Sequence, residues 1–157
     1  MSLLQSTERR EFLRSAFAIV GTLIVTPSHS SDWDQIAYNK TRIVDSIKSV
    51  GIDDFSNIVD GSDLIELNTP EIAENGAIVP ITIQSQIPQT ERIFVFSEKN
   101  PQPLVSDYVF STKVAPYVAS RIKMAETSYV HVLVLADGKF YRTAKEVKVT
   151  IGGCGEE

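Results

Sequence analysis

From residue 64 onward, the sequence alternates short runs of apolar and β-branched residues with turn-forming residues. Runs of this length and composition are typical of β-strands rather than helices. Seven such runs between residues 64 and 151 indicate an all-β fold, and the pattern fits an immunoglobulin-like β-sandwich. The predicted strands are residues 64–67, 78–84, 92–96, 106–110, 118–124, 129–136 and 140–151, the last of them interrupted near Ala144.

The last two predicted strands are joined by Asp137-Gly138. A two-residue hairpin turn that follows the twist of its strands needs positive φ at both central residues, and Asp-Gly is a preferred pair there. Residues 129–136 and 140–151 should therefore pair antiparallel. Apolar residues occupy both alternating faces of residues 129–136, which predicts a central strand that is covered on both sides.

A helix is expected before the strands. Apolar residues recur at helical spacing between Asp34 and Val50, and Gly51 follows as a helix-terminating residue. We predict a helical segment within residues 31–60 and a β-sandwich domain at 61–151. Residues 70–77, between the first two strands, are predicted to form an exposed loop with a short helical turn that begins at Pro70.

The first 30 residues have the order of an export signal, with basic residues first, then apolar residues and then small ones. A paired arginine followed by Phe-Leu is typical of twin-arginine signals. The apolar centre, residues 16–25, is about half as long as a bilayer-spanning helix. We therefore predict export to the periplasm, cleavage after Ser30 and no stable membrane insertion. The residues that carry this prediction are Arg9, Arg10, Phe12 and Leu13.

The charge of the chain argues against nucleic acid as a partner. The chain holds 15 basic and 20 acidic residues, of which three basic and two acidic residues lie within residues 1–30. The exported part therefore has a net charge of −6, taken as twelve basic against eighteen acidic residues. Such a surface repels a phosphate backbone.

Cys154 is the only cysteine, and it lies between Gly153 and Gly155 in a tail at residues 152–157. One cysteine makes no internal disulfide, so in an oxidising compartment it is a reactive thiol or half of an intermolecular bridge. Glycine leaves the backbone flexible and removes side-chain bulk. At about 3.3 Å per extended residue, the sulfur reaches roughly 10 Å from Ile151. The pattern indicates a tethered thiol that is presented to other molecules.

Other chemistry is excluded by count or geometry. His131 is the only histidine outside the export signal, and its position within a strand favours a packing role. A nucleophile on a loose tail is not held in the fixed hydrogen bond that a Cys-His pair needs. One cysteine and one histidine do not fill a zinc or copper site. We predict no metal, no cofactor and no enzymatic activity.

Two segments and the leader together resemble the SoxY family. The segments are residues 71–83, EIAENGAIVPITI, and residues 147–155, VKVTIGGCG. The resemblance implies a sulfur carrier of periplasmic thiosulfate oxidation that forms a heterodimer with SoxZ. It implies that sulfur is attached to Cys154, and that Gly152, Gly153 and Gly155 form a swinging arm. It also implies transient contacts with a haem enzyme that conjugates thiosulfate, a hydrolase that releases sulfate, and a sulfane dehydrogenase.

The tail departs from the family pattern, which has a second glycine after Gly155, because Glu156 and Glu157 stand there. Since like charges disfavour a thiolate, we expect a raised pKa for the Cys154 thiol. The alternative function is an exported immunoglobulin-like binding module whose cysteine forms an intermolecular disulfide. That module would tolerate Gly153→Pro, whereas a carrier would not. A thioredoxin-like enzyme is disfavoured because a second cysteine two residues away is missing.

Overall fold

The computed structural model describes residues 42–53, 57–111 and 113–151. The chain divides into two units, Met1–Ser30 and Ser31–Glu157, and every described residue belongs to the second unit. The predicted export signal at residues 1–30 and the predicted glycine tail at residues 152–157 lie outside the described residues. Among the described residues, no helix is long and apolar enough to span a membrane.

The described part of the chain contains one short helix followed by nine strands. Each of the seven predicted strands is present, with boundaries that differ by at most two residues at either end. Two further strands, each of two residues, were not predicted. The elements are α1 (Ile43–Ser49), β1 (Val59–Asp60), β2 (Ile65–Asn68), β3 (Ile72–Ala73), β4 (Val79–Ser85), β5 (Thr90–Ser97), β6 (Leu104–Val109), β7 (Tyr117–Ile122), β8 (Ser128–Ala136) and β9 (Lys139–Val149).

The strands form two sheets, which confirms the predicted β-sandwich. The larger sheet has the order β1-β9-β8-β5-β6, and β3 also pairs with β9. The smaller sheet has the order β2-β4-β7. All pairings are antiparallel except those of β1 and β3, which run parallel to β9. β6 and β7 are the outermost strands on one side of the two sheets.

The core lies between the sheets, and its side chains come from alternating positions of the strands. In β4, Val79, Ile81 and Ile83 are buried and point toward the larger sheet. The larger sheet contributes Val130 and Val132 of β8 to the same cluster. This alternation explains why a two-residue period in the sequence located the strands.

A second apolar cluster covers the outer face of the larger sheet. Phe94, Phe96 and Leu133 lie on this face, and residues from α1 and the segment after it pack over them, including Ile47 and Ile52. β8 is therefore covered on both faces, and it lies between β9 and β5. The prediction of a central strand at residues 129–136 is confirmed.

The β8–β9 hairpin has the predicted turn. Asp137 has a φ of 49° and Gly138 a φ of 69°, so both central residues are in the left-handed region. The two strands pair in continuous register from Ala136 opposite Lys139 to Ser128 opposite Val147. The predicted interruption near Ala144 is wrong, because Ala144 pairs with His131 within this ladder.

The helix predicted within residues 34–50 does not run through Arg42. Arg42 has extended backbone angles, φ −117° and ψ 134°, so α1 begins at Ile43, and residues 34–41 lie outside the described residues. The predicted terminator is confirmed. Gly51 has a φ of +98°, and its N–H donates to the Lys48 carbonyl oxygen at 3.0 Å.

Candidate functional site

The candidate site is the place where the cysteine-bearing tail leaves the sandwich. The tail itself, with Cys154, Gly152, Gly153 and Gly155, lies outside the described residues. The structure describes the preceding residues 148–151, which we call the tail base. The arrangement of the tail base fixes the position of the chain immediately before Gly152, Gly153 and Cys154.

One side of the tail base is hydrogen-bonded to residues 71–76. The Lys148 N–H donates to the Glu71 carbonyl oxygen at 3.0 Å, and the Thr150 N–H donates to the Ala73 carbonyl oxygen at 3.1 Å. The carbonyl oxygen of Ile151 then accepts from the Gly76 N–H at 2.7 Å. These bonds extend the parallel β3–β9 pairing to the last described residue.

The helical turn predicted at residues 70–77 is therefore wrong. Ile72 and Ala73 form β3 instead, and the Ala73 side chain is buried. The N–H groups of Lys148 and Thr150 face away from β8 and need acceptors, and this segment supplies them. This tertiary requirement overrides the local preference for a turn after Pro70. The carboxylates of Glu71 and Glu74, considered for acid-base chemistry, belong to exposed residues.

Two side-chain hydroxyls add to these contacts. The Thr150 hydroxyl donates to the Glu74 carbonyl oxygen at 2.8 Å. On the opposite side of the tail base, the Val149 N–H donates to the Thr127 hydroxyl oxygen at 2.9 Å. Successive residues of the tail base are thus bonded alternately to the 71–77 segment and to the β7–β8 loop, residues 123–127.

The β7–β8 loop is itself fixed. The Met124 N–H donates to the Gly76 carbonyl oxygen at 2.7 Å, and the Met124 side chain is fully buried. Asn100 is also buried, and its side-chain amide donates to the Lys123 carbonyl oxygen and accepts from the Ala125 N–H, both at 2.8 Å. Through these bonds, the tail base is connected to both sheets up to Ile151.

Three exposed isoleucines lie within the tail base or in the segment bonded to it. Ile72, Ile78 and Ile151 are each more than half exposed, at 58%, 58% and 68%. Backbone hydrogen bonds place them near one another, because Gly76 bonds to Ile151 and the Ile78 N–H donates to the Asn75 carbonyl oxygen. Their side chains leave apolar surface beside the tail base accessible to solvent.

His131 lies away from the tail base. It pairs with Ala144 of β9, four residues before Lys148. Its imidazole is mostly buried, and the centroids of the imidazole and the Tyr129 ring are 6.0 Å apart. Burial lowers the pKa of His131, Arg142 lowers it further, and the Glu98 carboxylate opposes both effects. Nε2 of His131 is 3.6 Å from the Glu98 carboxylate, too far for a hydrogen bond.

The described residues contain no group of three or more His, Cys, Asp and Glu residues that could hold a metal ion.

Sequence reasoning missed Thr127, Asn100 and Met124, which hold the tail base through the β7–β8 loop. The only local indication was Asn75-Gly76, a turn-forming pair. Asn75 makes an Asx turn there, because its side-chain oxygen accepts from the Ala77 N–H at 2.8 Å.

Comparison with known proteins agrees with this geometry. Residues 53–154 match the model of the family described as sulfur oxidation protein SoxY. The match includes the 71–77 segment, the tail base and Cys154. Among curated proteins, none matches the chain.

A solved structure gives the same result. The structure of the sulfur carrier protein SoxY from Chlorobium limicola f thiosulfatophilum has 37% sequence identity and a TM-score of 0.59. The alignment covers 69% of this chain and 96% of that chain. A superoxide reductase (neelaredoxin) from Ignicoccus hospitalis aligns with 12% identity and a TM-score of 0.49, covering 61% of this chain and 98% of that chain. That likeness is too low to bear on function.

Proposed function

The chain belongs to the SoxY family of sulfur carrier proteins, and from this premise we propose that it holds thiosulfate-derived sulfur covalently on Cys154. The observation that supports the proposal is the tail base. Hydrogen bonds on both sides hold the chain up to Ile151, and the next residues are Gly152, Gly153 and Cys154. A fixed pivot followed by two glycines suits a thiol that moves between partners.

The chemistry needs only a thiolate on this chain. A cysteine thiolate and thiosulfate form one sulfur–sulfur bond and release two electrons, which a partner haem enzyme accepts. Hydrolysis of the terminal sulfonate then releases sulfate and leaves a persulfide on Cys154. A sulfane dehydrogenase oxidises the remaining sulfur. Cys154 keeps each intermediate attached, which raises its effective concentration at the next enzyme.

The length of the tail sets its working range. Cys154 is three residues beyond Ile151, so its sulfur reaches about 10 Å from the pivot when the backbone is extended. A pivot that opened at residue 148 would nearly double that radius and spread the thiol over a larger volume. The bonds of the tail base therefore keep the effective concentration of the thiol high near its point of attachment.

The proposal includes partners and a location. The exposed isoleucines Ile72, Ile78 and Ile151 lie in the tail base or in the segment bonded to it, and they suit contact with SoxZ or with the mouth of a partner enzyme. The twin-arginine pattern at Arg9 and Arg10 supports export to the periplasm. The carrier itself catalyses none of the steps.

The decisive experiment is the intact mass of the mature protein isolated from the periplasm, before and after treatment with a reductant. Cys154→Ser is the control. Adducts that contain extra sulfur, that disappear with reductant and that need Cys154 would establish the carrier and identify its cargo. A bare thiol, or only a protein-to-protein disulfide even with thiosulfate supplied, would favour a disulfide-linked binding module.

A further inference from the structure

β7 is the outermost strand of its sheet, and its outer edge carries backbone groups without a partner among the described residues. The Pro116 carbonyl oxygen accepts from the Ser85 N–H at 3.0 Å, so alternate residues from Val118 onward bond to β4. The residues between them, Ala119 and Arg121, therefore direct their N–H and C=O groups away from β4. An edge of this kind is a template for pairing with another strand.

A groove runs beside this edge, between β7 and β6, the outermost strand of the larger sheet. It has two adjoining stretches of about 590 and about 420 Å³, and Tyr108 lines both. Val118 and Ile122 are buried side chains of β7 that line it, and Ser106 lines it from β6. The Ser106 hydroxyl is buried and bonds to no described residue. A strand added to β7 would lie across the mouth of this groove, with alternate side chains pointing into it.

The other side chains of an added strand would meet a cationic surface. Arg121 and Lys123 are exposed, and neither forms an ion pair with another described residue. Pro80 of β4 lies opposite Arg121, so the neighbouring strand supplies no carboxylate at this position. Acidic side chains on the added strand would therefore complete ion pairs that the described residues leave open.

Exposed apolar side chains continue this surface at the other end of β7. Tyr117 is 54% exposed, Val114 59% and Val109 72%. Val109 and Tyr117 line the same stretch of the groove, and Val114 lies between β6 and β7 in the sequence. Apolar surface beside a charged edge is the usual composition of a protein–protein interface.

We propose that β7 is a docking edge for a partner protein, which adds an extended segment antiparallel to β7. Alternate side chains of that segment are apolar and enter the groove, and those between them are acidic and pair with Arg121 and Lys123. Antiparallel addition continues the β2-β4-β7 sheet, whose pairings are antiparallel. The occupant is not a second copy that pairs β7 with β7, because such a dimer brings the cations of both copies together.

The docking edge ends beside the tail base. Met124, which follows Lys123, donates its N–H to the Gly76 carbonyl oxygen. The Gly76 N–H in turn donates to the Ile151 carbonyl oxygen. The Cα atoms of Lys123 and Ile151 are therefore within about 15 Å of each other. A partner docked on β7 thus stands next to the chain that leads to Cys154, and the use of this position rests on the proposed carrier function.

The test uses the full chain under reducing conditions and a fluorescein-labelled peptide of about eight residues that alternates glutamate and valine. Fluorescence anisotropy measures the binding of the peptide, and we expect saturable binding at about 10 mM salt. A peptide of the same composition whose glutamates all precede its valines should bind at least about 10-fold more weakly, because it directs carboxylates into the groove.

Methylated peptides test the backbone pairing. In antiparallel addition the glutamates lie opposite Ala119 and Arg121, and their N–H groups face β7. Methylating the glutamate nitrogens should therefore weaken binding about 10-fold or more, whereas methylating the valine nitrogens should leave it nearly unchanged. Ala119→Pro removes a donor that faces only the added strand, so it should weaken binding as well, and urea denaturation checks that this variant is folded. The methylated peptides decide the question even where the variant does not fold.

Charge variants locate the acidic side chains. Arg121→Gln/Lys123→Gln should weaken binding by about 2- to 25-fold, since each exposed ion pair contributes about 1.5- to 5-fold. The matched control is Lys48→Gln/Lys139→Gln, which removes two exposed cations from α1 and the β8–β9 hairpin and should change nothing. At about 1 M salt the difference between the variants should disappear, because the Debye length shortens to about 3 Å.

Several results would overturn the proposal. They are an absence of binding, equal binding of the alternating and block peptides, equal binding of the two methylated peptides, and affinity that survives neutralisation of Arg121 and Lys123 at low salt. A dimer in light scattering that the peptide dissociates would overturn it as well, since a second copy would then occupy the edge. These measurements do not depend on sulfur loading, and a failure of the carrier function would appear only in the mass measurement.

Discussion

Replacing Thr127 by valine should loosen the tail base without disturbing the rest of the sandwich. The substitution keeps the size of the side chain and removes the hydroxyl oxygen that accepts from the Val149 N–H at 2.9 Å. The β8–β9 ladder ends at Ser128 and Val147, so β8 offers no other partner to this N–H. An unsatisfied donor costs about 1–3 kcal/mol, and partial access of water to Val149 places this case near 1 kcal/mol.

Native-state hydrogen exchange measures this effect directly. A loss of about 1 kcal/mol in local stability speeds amide exchange about 5-fold, and we expect this at Val149 and at its neighbour Thr150. Amides in the centre of β8, such as that of Val132, should exchange as before. The control is Thr143→Val, since Thr143 lies on β9 and its hydroxyl bonds to no described residue.

Unchanged exchange at Val149 in Thr127→Val would refute the reasoning, because the hydroxyl would then contribute nothing to holding the tail base. Equal acceleration in Thr143→Val would refute it as well, since the effect would then come from the valine rather than from the lost acceptor. A uniform acceleration across β8 and β9 would mean that the loop stabilises the whole sandwich instead of the pivot.

Three further predictions concern other parts of the molecule. In Gly61→Ala, the new Cβ would lie 2.7 Å from Ile65 Cδ1 and 3.1 Å from Tyr141 Cβ. Urea denaturation should therefore show that the free energy of unfolding falls by about 1–3 kcal/mol. An unchanged free energy of unfolding would mean that both neighbours move aside freely. Because burial lowers the pKa of His131 in the folded state, the unfolded state takes up the proton first, and stability should fall as the pH drops below 6.5. Denaturation of His131→Gln at several pH values should show a smaller fall, and an equal fall would assign it to other groups. Gly153→Pro should slow sulfur transfer from Cys154 to partner enzymes by about 10-fold or more, without a change in the free energy of unfolding. Turnover equal to that of the unaltered chain would argue against a swinging arm.

Local sequence patterns were enough to locate most of the strands. β4 and β8 were found because their side chains alternate between two environments with a period of two, which is independent of the rest of the fold. The turn at Asp137 and Gly138 was found because few residue pairs accept positive φ at both positions. Family membership followed from short segments around Cys154 and Gly76, which comparison with known proteins confirmed.

The tertiary structure decided how the tail base is held. β3 has two residues, too few for any periodicity, and it forms because β9 exposes N–H groups that need acceptors. The Thr150 hydroxyl bonds to the Glu74 carbonyl oxygen, 76 residues away in the sequence. The Asn100 side chain bonds to Lys123 of the β7–β8 loop, 23 residues away in the sequence. Such pairs leave no local pattern. The sequence singles out Cys154 as the proposed site of sulfur attachment, but only the packed sandwich determines how the chain that leads to it is held up to Ile151.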